Sequence, residues 1–267
     1  ADRGRFAMAH IVGNVRQAGF YGLTTDAAWI NNAAGPSEPV SITVANDCGP
    51  NWSIDLHQPI SARNNRYDLD CAPYRGQRLS GPDVLIIRRV SARTTEPSSG
   101  RLQVHSGLDE ASIDSRGLPP QLAPLETRDL VTNAYYISPA SSLGGNQPGL
   151  RRKILRAGPR VVDEEIMPGI VDLQVRFGVR SSRPELEPAE DGLAWVDPEH
   201  PVLGDEQATV TAVRVWLLQA TDGPPGIQPE PIAAYADRPA PPLDNRMRFL
   251  RAQTIALRNL QINEPAQ

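Results

Sequence analysis

The sequence predicts an α+β fold in which one N-terminal helix packs on antiparallel β-sheet and long loops join the strands. Apolar residues recur at helical spacing only near the start of the chain. Beyond residue 39, short runs rich in β-branched residues follow one another without helical segments between them, which favours antiparallel over parallel pairing. The 26 prolines and 21 glycines among 267 residues indicate frequent turns and long loops.

The N-terminal helix is predicted over residues 3–18. Gly19 follows the last periodic apolar residue, where helices commonly end because glycine adopts the left-handed conformation at little cost. A helix that opens a chain needs a surface to cover its apolar stripe, so we expect it to pack on the sheet that follows. The residues expected to pack, on that sheet or on neighbouring helices, are Phe6, Met8, Ile11, Val12 and Val15.

The two cysteines, Cys48 and Cys71, flank a polar and turn-rich insert. An isolated pair that closes such a loop indicates a disulfide bond in an oxidising compartment, with about 3 kcal/mol of stabilisation expected from loop closure. Two unrelated buried thiols, or half of a metal site, remain the alternatives. The sequence has no CxxC motif, which favours the disulfide.

Eight later segments are predicted strands. The clearest is 171–179, where apolar and polar residues alternate without a break, so one face is expected in the core and the other in solvent. Segment 150–156 is expected to expose its cations. The predicted strands are 40–44, 83–90, 101–105, 129–137, 150–156, 171–179, 210–218 and 254–259.

Four long loops are predicted between these elements. Residues 23–39 should form a loop with Trp29 and Ile30 turned inward, and residues 109–125 a surface excursion. Residues 181–205 are rich in proline and acidic side chains. Residues 222–242 are predicted to be an exposed, mobile hairpin loop, because their many prolines lack the N–H group that a strand ladder needs.

Four sequence blocks carry a family resemblance. They are RFA at 5–7 with VRQAGFYG at 15–22, LRR at 150–152 with IMPGIVDLQVRFGV at 166–179, AVRVWLL at 212–218, and RF at 248–249 with TIALRN at 254–259. In this order they resemble the PilW-type minor pilins of type IV pili. Each block is weak by itself, but their order and spacing jointly indicate the family. One departure is Leu23, since the family often has cysteine after the glycine that corresponds to Gly22.

The resemblance implies a type IV pilin-like fold, with a helical spine across twisted antiparallel sheet and variable long loops. Residues 1–19 would be the C-terminal half of a longer helix whose membrane-anchor half is absent from this sequence, and residues 20–267 one globular β-rich head. The native protein would be anchored on the periplasmic face of the inner membrane before it enters the extracellular pilus.

The resemblance also implies a non-enzymatic assembly role. In the family, minor pilins interact with one another and with the major pilin to start the fibre, and they remain at or near its tip. The helix stripe would contact neighbouring helices, while an exposed strand edge and the loops would select partner minor pilins.

Other functions find less support in the residues. The net charge of −4 gives no basic footprint for nucleic acid, and no glycine-rich phosphate loop indicates a nucleotide cofactor. No serine nucleophile is paired with a base, and His10, His57, His105 and His200 lack the spacing of metal ligands. No catalytic, cofactor or metal residues are therefore predicted.

Three further hypotheses stay open. The acidic run 163–165, or Asp109 and Glu110 with Asp114, could gather oxygen ligands for calcium. The chain could be a secreted carbohydrate-binding or adhesin module, or an unrecognised periplasmic enzyme. The binding module would use aromatic side chains in exposed loops, namely Trp52, Tyr67, Tyr74, Trp195 and Tyr235.

Overall fold

A computed structural model describes residues 2–107, 110–117, 125–143, 145–181, 186–189, 191–205, 207–222 and 230–260. It contains one α-helix, α1 (Asp2–Val15), and twelve strands in its described parts. The strands are β1 (Ile30–Asn31), β2 (Ile60–Arg63), β3 (Val84–Val90), β4 (Gln103–Ser106), β5 (Ala111–Asp114), β6 (Glu126–Ser138), β7 (Gly149–Arg156), β8 (Arg160–Pro168), β9 (Ile170–Ser181), β10 (Ala194–Val196), β11 (Ala208–Asp222) and β12 (Arg246–Ala256).

The strands form two sheets. In the first, β6 pairs with β3 along one edge, and β4 and β7 share its other edge. β2 extends this sheet beyond β3, while β8 pairs with β7, and β5 and then β1 follow β4. The second sheet has the order β10-β9-β11-β12. All these pairings are antiparallel except β1 with β5, so the predicted α+β class with antiparallel sheet is confirmed.

α1 packs on the second sheet, chiefly on β11 and β12, and also contacts β8. Its buried face joins the largest apolar cluster, which continues between the two sheets through residues such as Leu173, Val215 and Tyr135. Gly19 ends the helical segment with a φ of 73°, and its N–H donates to the Arg88 carbonyl at 3.1 Å. The left-handed conformation that glycine permits thus turns the chain from the helix onto the first sheet.

Several predicted loops contain strands, and one predicted strand is wrong. Residues 40–44 alternate in hydropathy and pack their apolar side chains on a core cluster, but they form no ladder, because the only pairing nearby is a bridge of Ala45 with Arg160. β5 lies in the predicted excursion 109–125, and β10 lies in the predicted loop 181–205. β2 and β8 are strands that the alternation did not predict.

The predicted solvent faces of β7 and β9 are wrong in part. Asp172 and Gln174 of β9 are 5% and 1% exposed, because the segments around Gly81 and Tyr235 cover them. In β7, Arg151 and Lys153 are buried, because acidic side chains of β8 neutralise them. Arg156, at the end of β7, is exposed as predicted.

Two loop predictions need correction in part. Ile30 is buried as expected, but Trp29 is 69% exposed, since β1 begins at Ile30 and leaves its neighbour outside the pairing with β5. In the proline-rich loop, residues 223–229 lie outside the described residues. Tyr235 of the same loop is buried and donates its hydroxyl to Asp172 Oδ2 at 2.6 Å. This part of the loop is anchored on the second sheet.

Candidate assembly surface

The helix presents two apolar faces that point in different directions. Met8, Ile11, Val12 and Val15 are at most 6% exposed and lie against the sheets. Phe6 is 56% exposed, and Ala9 and Gly13 are exposed with it. Spacings of three and four place Phe6, Ala9 and Gly13 along one side of a helix. These three residues are called the outer helix face below.

The outer helix face is uneven in height as well as exposed to solvent. A side chain at Gly13 would meet no heavy atom within 4 Å, so the surface steps down from the Phe6 ring to bare backbone one to two turns later. Exposed arginines border it, with Arg5 paired to Asp2 at 2.6 Å and Arg3 and Arg16 exposed. Small residues beside a bulky aromatic let another backbone approach closely, as helix–helix contacts require.

Polar contacts along the helix flank fix its rotation on the sheets. Arg152 Nη1 lies 3.2 Å from His10 Nε2, and because a guanidinium only donates, Nε2 accepts and the imidazole is neutral. Burial, and then the Arg152 charge, lower the pKa of His10. Asn14 Oδ1 accepts from Arg89 Nη2 at 3.0 Å. These contacts leave the outer helix face turned away from the sheets.

The predicted packing residues therefore separate into two groups. The structure brings Met8, Ile11, Val12 and Val15 together under the helix and leaves Phe6 outside. Ala9 and Gly13 were not predicted, because the prediction rested on a single apolar stripe. They lie on the opposite side of the helix from that stripe, as small residues three and seven positions after Phe6.

A disulfide bond joins Cys48 to Cys71, with the Cα atoms 4.4 Å apart. Both cysteines are buried in an apolar cluster that includes Trp52 and Tyr67. The Tyr67 hydroxyl donates to the Cys71 carbonyl at 2.8 Å. The loop that the bond closes carries β2, so the disulfide attaches the outermost strand on that side of the first sheet to its neighbours.

The acidic run 163–165 faces cations rather than an open site. Asp163 lies 2.5 Å from Arg151 Nε and 2.7 Å from Lys153 Nζ, while Glu165 lies 3.1 Å from Arg151 Nη1. Burial alone would raise the pKa of Glu165, but hydrogen bonds from Ser141 and Ser142 hold it below its usual range.

Neither acidic group of the calcium hypothesis forms an open site among the described residues. Asp163 and Glu165 bond to Arg151, Lys153 and the two serines, Glu164 is paired with Arg152 at 2.8 Å, and Asp114 is paired with Arg116 at 2.7 Å. Asp109 lies outside the described residues. No group of three or more metal-ligating side chains occurs in the described part of the chain.

The aromatic residues proposed for carbohydrate binding do not form a platform. Trp52, Tyr67 and Tyr235 are at most 7% exposed. Tyr74 lies against Arg151, whose guanidinium carbon is 3.8 Å from the ring centroid. Trp195 stacks on Arg214 at 4.2 Å. These rings are used within the fold, so the hypothesis of a binding module loses the residues on which it rested.

A family comparison agrees with the three later sequence blocks, which lie within residues 150–259. The family model for the type IV pilus-assembly protein W, PilW, matches residues 134–259, which is slightly less than half of the chain. No curated protein matches the chain. Among solved structures, a type IV-like pilin from Thermus thermophilus is similar at 16% sequence identity, over 61% of this chain and 85% of that chain, with a TM-score of 0.29. The family match confirms the resemblance to PilW.

No helix among the described residues has the length and apolar character to cross a membrane.

Proposed function

We infer that this chain, whose residues 134–259 match the family of the type IV pilus-assembly protein W, is a minor pilin of the type IV pilus. We propose that it takes part in priming pilus assembly within a complex of minor pilins at the tip. In this proposal residues 1–19 are the C-terminal half of the pilin helix, and residues 20–267 are the head. The protein is held at the periplasmic face of the inner membrane before it joins the fibre.

The observation that carries the proposal is the outer helix face. An N-terminal helix that only stabilised its own domain would need one apolar face, and α1 has that face in Met8, Ile11, Val12 and Val15. Phe6 adds a second apolar contact that the head does not use, beside the open backbone at Gly13. Partner helices, those of other minor pilins and of the major pilin, are the occupants that we propose for it.

A substitution on the outer helix face tests this proposal. The protein should be studied at full length in its own cell, with the other minor pilins present. Phe6→Asp together with Gly13→Arg places a negative charge and a bulky, positively charged side chain in the contact. We expect the amount of minor pilins that copurify with the protein to fall at least about tenfold, since a charge buried without a partner is costly.

The control is Leu243→Asp, which introduces an acidic side chain at a leucine that is 72% exposed and does not belong to the outer helix face. Both variants should unfold within about 2 °C of the parent, because exposed substitutions rarely change stability much. Undiminished copurification of the helix variant, with the fold intact, would remove the helix from the assembly mechanism. Equal losses in both variants would do the same.

A further inference from the structure

We propose that the free edge of β2 is a docking site for an extended strand of a partner protein. β2 is the last strand on its side of the first sheet and pairs only with β3 among the described strands. Its free side borders a groove of about 630 Å³ between the two sheets. This inference does not depend on the outer helix face, which lies on another element.

The hydrogen-bond pattern shows which main-chain groups of β2 are free. Arg88 N–H donates to the Pro59 carbonyl at 2.8 Å, and the register pairs Ile60 with Ile87. Residues of an antiparallel strand alternate in the side to which their N–H and C=O groups point. Ser61 and Arg63 therefore bond to β3, whereas Ile60 and Ala62 point into the groove. No hydrogen bond to those groups is found in the described part of the chain.

The walls of the groove fit an added strand. Ile60 and Ala62 turn their side chains toward the apolar cluster between the sheets, and the opposite wall is made by the second sheet and the turn after β10. Four apolar side chains at the margin of this cluster are only half-buried, although they pack against it. They are Ile60, Leu203, Val210 and Leu260. A strand seated in the groove would complete their burial.

The charged groups at the rim give little selectivity. Arg63 is paired with Asp68 at 3.2 Å, and Glu199 is paired with Arg66 at 2.6 Å. Affinity must therefore come from main-chain hydrogen bonds and from apolar contacts at every second residue, as in strand addition to a sheet edge. The partner segment that fits is extended, uncharged at its centre and alternating between apolar and polar residues. The four residues of β2 match about 13 Å of such a segment.

Amide hydrogen exchange tests the free edge first. In the unliganded protein, we expect the amides of Ile60 and Ala62 to exchange at least tenfold faster than those of Ser61 and Arg63. A library of random ten-residue peptides displayed on phage is then selected on the protein. The best synthetic peptide should slow exchange at Ile60 and Ala62 at least tenfold and leave Ser61 and Arg63 nearly unchanged.

Two variants at one position separate main-chain bonding from side-chain packing. Ala62→Pro removes an N–H that faces the groove without removing a bond to β3, whereas Ala62→Gly keeps that N–H. We expect Ala62→Pro to weaken peptide binding at least tenfold and Ala62→Gly to weaken it less than threefold. Leu203→Asp on the opposite wall should also weaken binding at least tenfold, and Leu243→Asp should not.

Three outcomes overturn the proposal. One is a selection that enriches no alternating peptide on the parent protein over the Ala62→Pro variant. Another is peptide binding equal in Ala62→Pro and Ala62→Gly, with both folded by circular dichroism. The third is binding that appears only in a chain ended after Leu260, which would assign the groove to residues 261–267 of the chain itself.

Discussion

Two regions of this molecule are held together by different means. Under α1, stability rests on apolar side chains such as Ile11 and Val215, which are fully buried and make no use of charge. In the β7–β8 hairpin, the buried face holds Arg151 and Lys153 against Asp163 and Glu165. We expect the first region to be destabilised most by a change in the shape or polarity of a buried side chain. We expect the second to be destabilised most by the loss of one charged partner.

The difference follows from the main-chain hydrogen bonds that each region must satisfy. The helix satisfies its own hydrogen bonds and needs only an apolar surface to cover. The hairpin binds the segment after the disulfide, since Lys153 of β7 donates to the Ala72 carbonyl. Tyr136 of the neighbouring β6 donates its hydroxyl to Asp163 of β8 and accepts from the Tyr74 N–H at 2.9 Å. Buried charges there bind the polar main chain of an irregular segment, which apolar side chains would leave unsatisfied.

The largest effect is expected from a charge in the apolar region. Ile11→Asp places a carboxylate in an apolar cluster where the exposed fraction is 0%, so we expect more than about 5 kcal/mol of destabilisation and loss of the folded state. Phe6→Asp, one and a half turns earlier and 56% exposed, is the control and should change the free energy of unfolding by less than about 0.5 kcal/mol. Chemical denaturation of both variants measures the difference. A folded Ile11→Asp protein would contradict the packing described for α1.

Removal of one cation from the hairpin should rank second. Arg151→Ala leaves Asp163 and Glu165 buried with less compensation, and the loss of one partner from a buried pair costs about 3–5 kcal/mol. Arg156→Ala removes a cation of the same strand whose side chain is 46% exposed, and the expected cost is below about 1 kcal/mol. Urea denaturation of the two variants compares them. Equal losses would mean that the buried network acts no differently from surface charge.

Removal of the disulfide tests whether the loop around β2 and the helix α1 lose protection independently of each other. The double variant Cys48→Ser, Cys71→Ser should lose about 3 kcal/mol, because the unfolded chain regains the freedom of the closed loop. Hydrogen exchange should rise first in β2 and in the loop around it, while amides of α1 stay protected. Faster exchange in α1 than in β2 would show that the disulfide stabilises the helix region instead.

The apolar region was largely predictable from the sequence, and the reason is periodicity. Apolar residues that recur every three or four positions predict the buried face of α1, and runs of β-branched residues predict β3, β9 and β11. The prediction included Met8, Ile11, Val12 and Val15 without any knowledge of their partners. It could not separate Phe6 from them, because which residues face the sheets depends on the side from which the sheets approach the helix.

The polar region was not predictable in the same way. In β8, the run 163–165 has the composition of a solvated acidic surface, since its neutralisation depends on cations that lie earlier in the chain, across a hairpin. Asp172 likewise seemed to face solvent, because the Tyr235 that covers it lies 63 residues away in a proline-rich loop. Local patterns carry no information on such contacts. The free edge of β2 was missed for the same reason, since an unpaired edge is a property of the whole sheet.

The smallest effect concerns the seam between the two sheets, where one carboxyl group bonds to both. Asp83 Oδ1 accepts from Asn65 N–H at 2.8 Å, and Asp83 Oδ2 accepts from Val175 N–H of β9 at 2.8 Å. Burial, helped by the neighbouring acids Asp237 and Asp172, outweighs the lowering effect of these two bonds and raises the pKa of Asp83 to about 7. Asp83 is 1% exposed, so no solvent relieves its charge.

The sign of the pH dependence follows from proton binding. Between pH 4 and pH 7 the folded state binds this proton more tightly than the unfolded chain, whose aspartates titrate near pH 3.9. The contribution of Asp83 to stability is therefore complete below about pH 4 and is lost as the pH rises to about 7. Asp83→Asn cannot titrate, and its amide leaves one of the two N–H groups without an acceptor.

We therefore expect Asp83→Asn to be less stable than the parent by about 1–3 kcal/mol at pH 4. The difference should fall as the pH rises, reverse in sign before pH 7 and stay constant above it, because a pKa raised from about 4 to about 7 costs the parent about 4 kcal/mol over this range. The measurement is the difference in free energy of unfolding between the two proteins at pH 4, 5.5, 7 and 8. Because every other titrating group is common to both, the difference isolates Asp83. A gap that widens as the pH rises would mean that the two N–H groups outweigh burial, and that the seam between the sheets is held by a carboxylate rather than by a carboxylic acid.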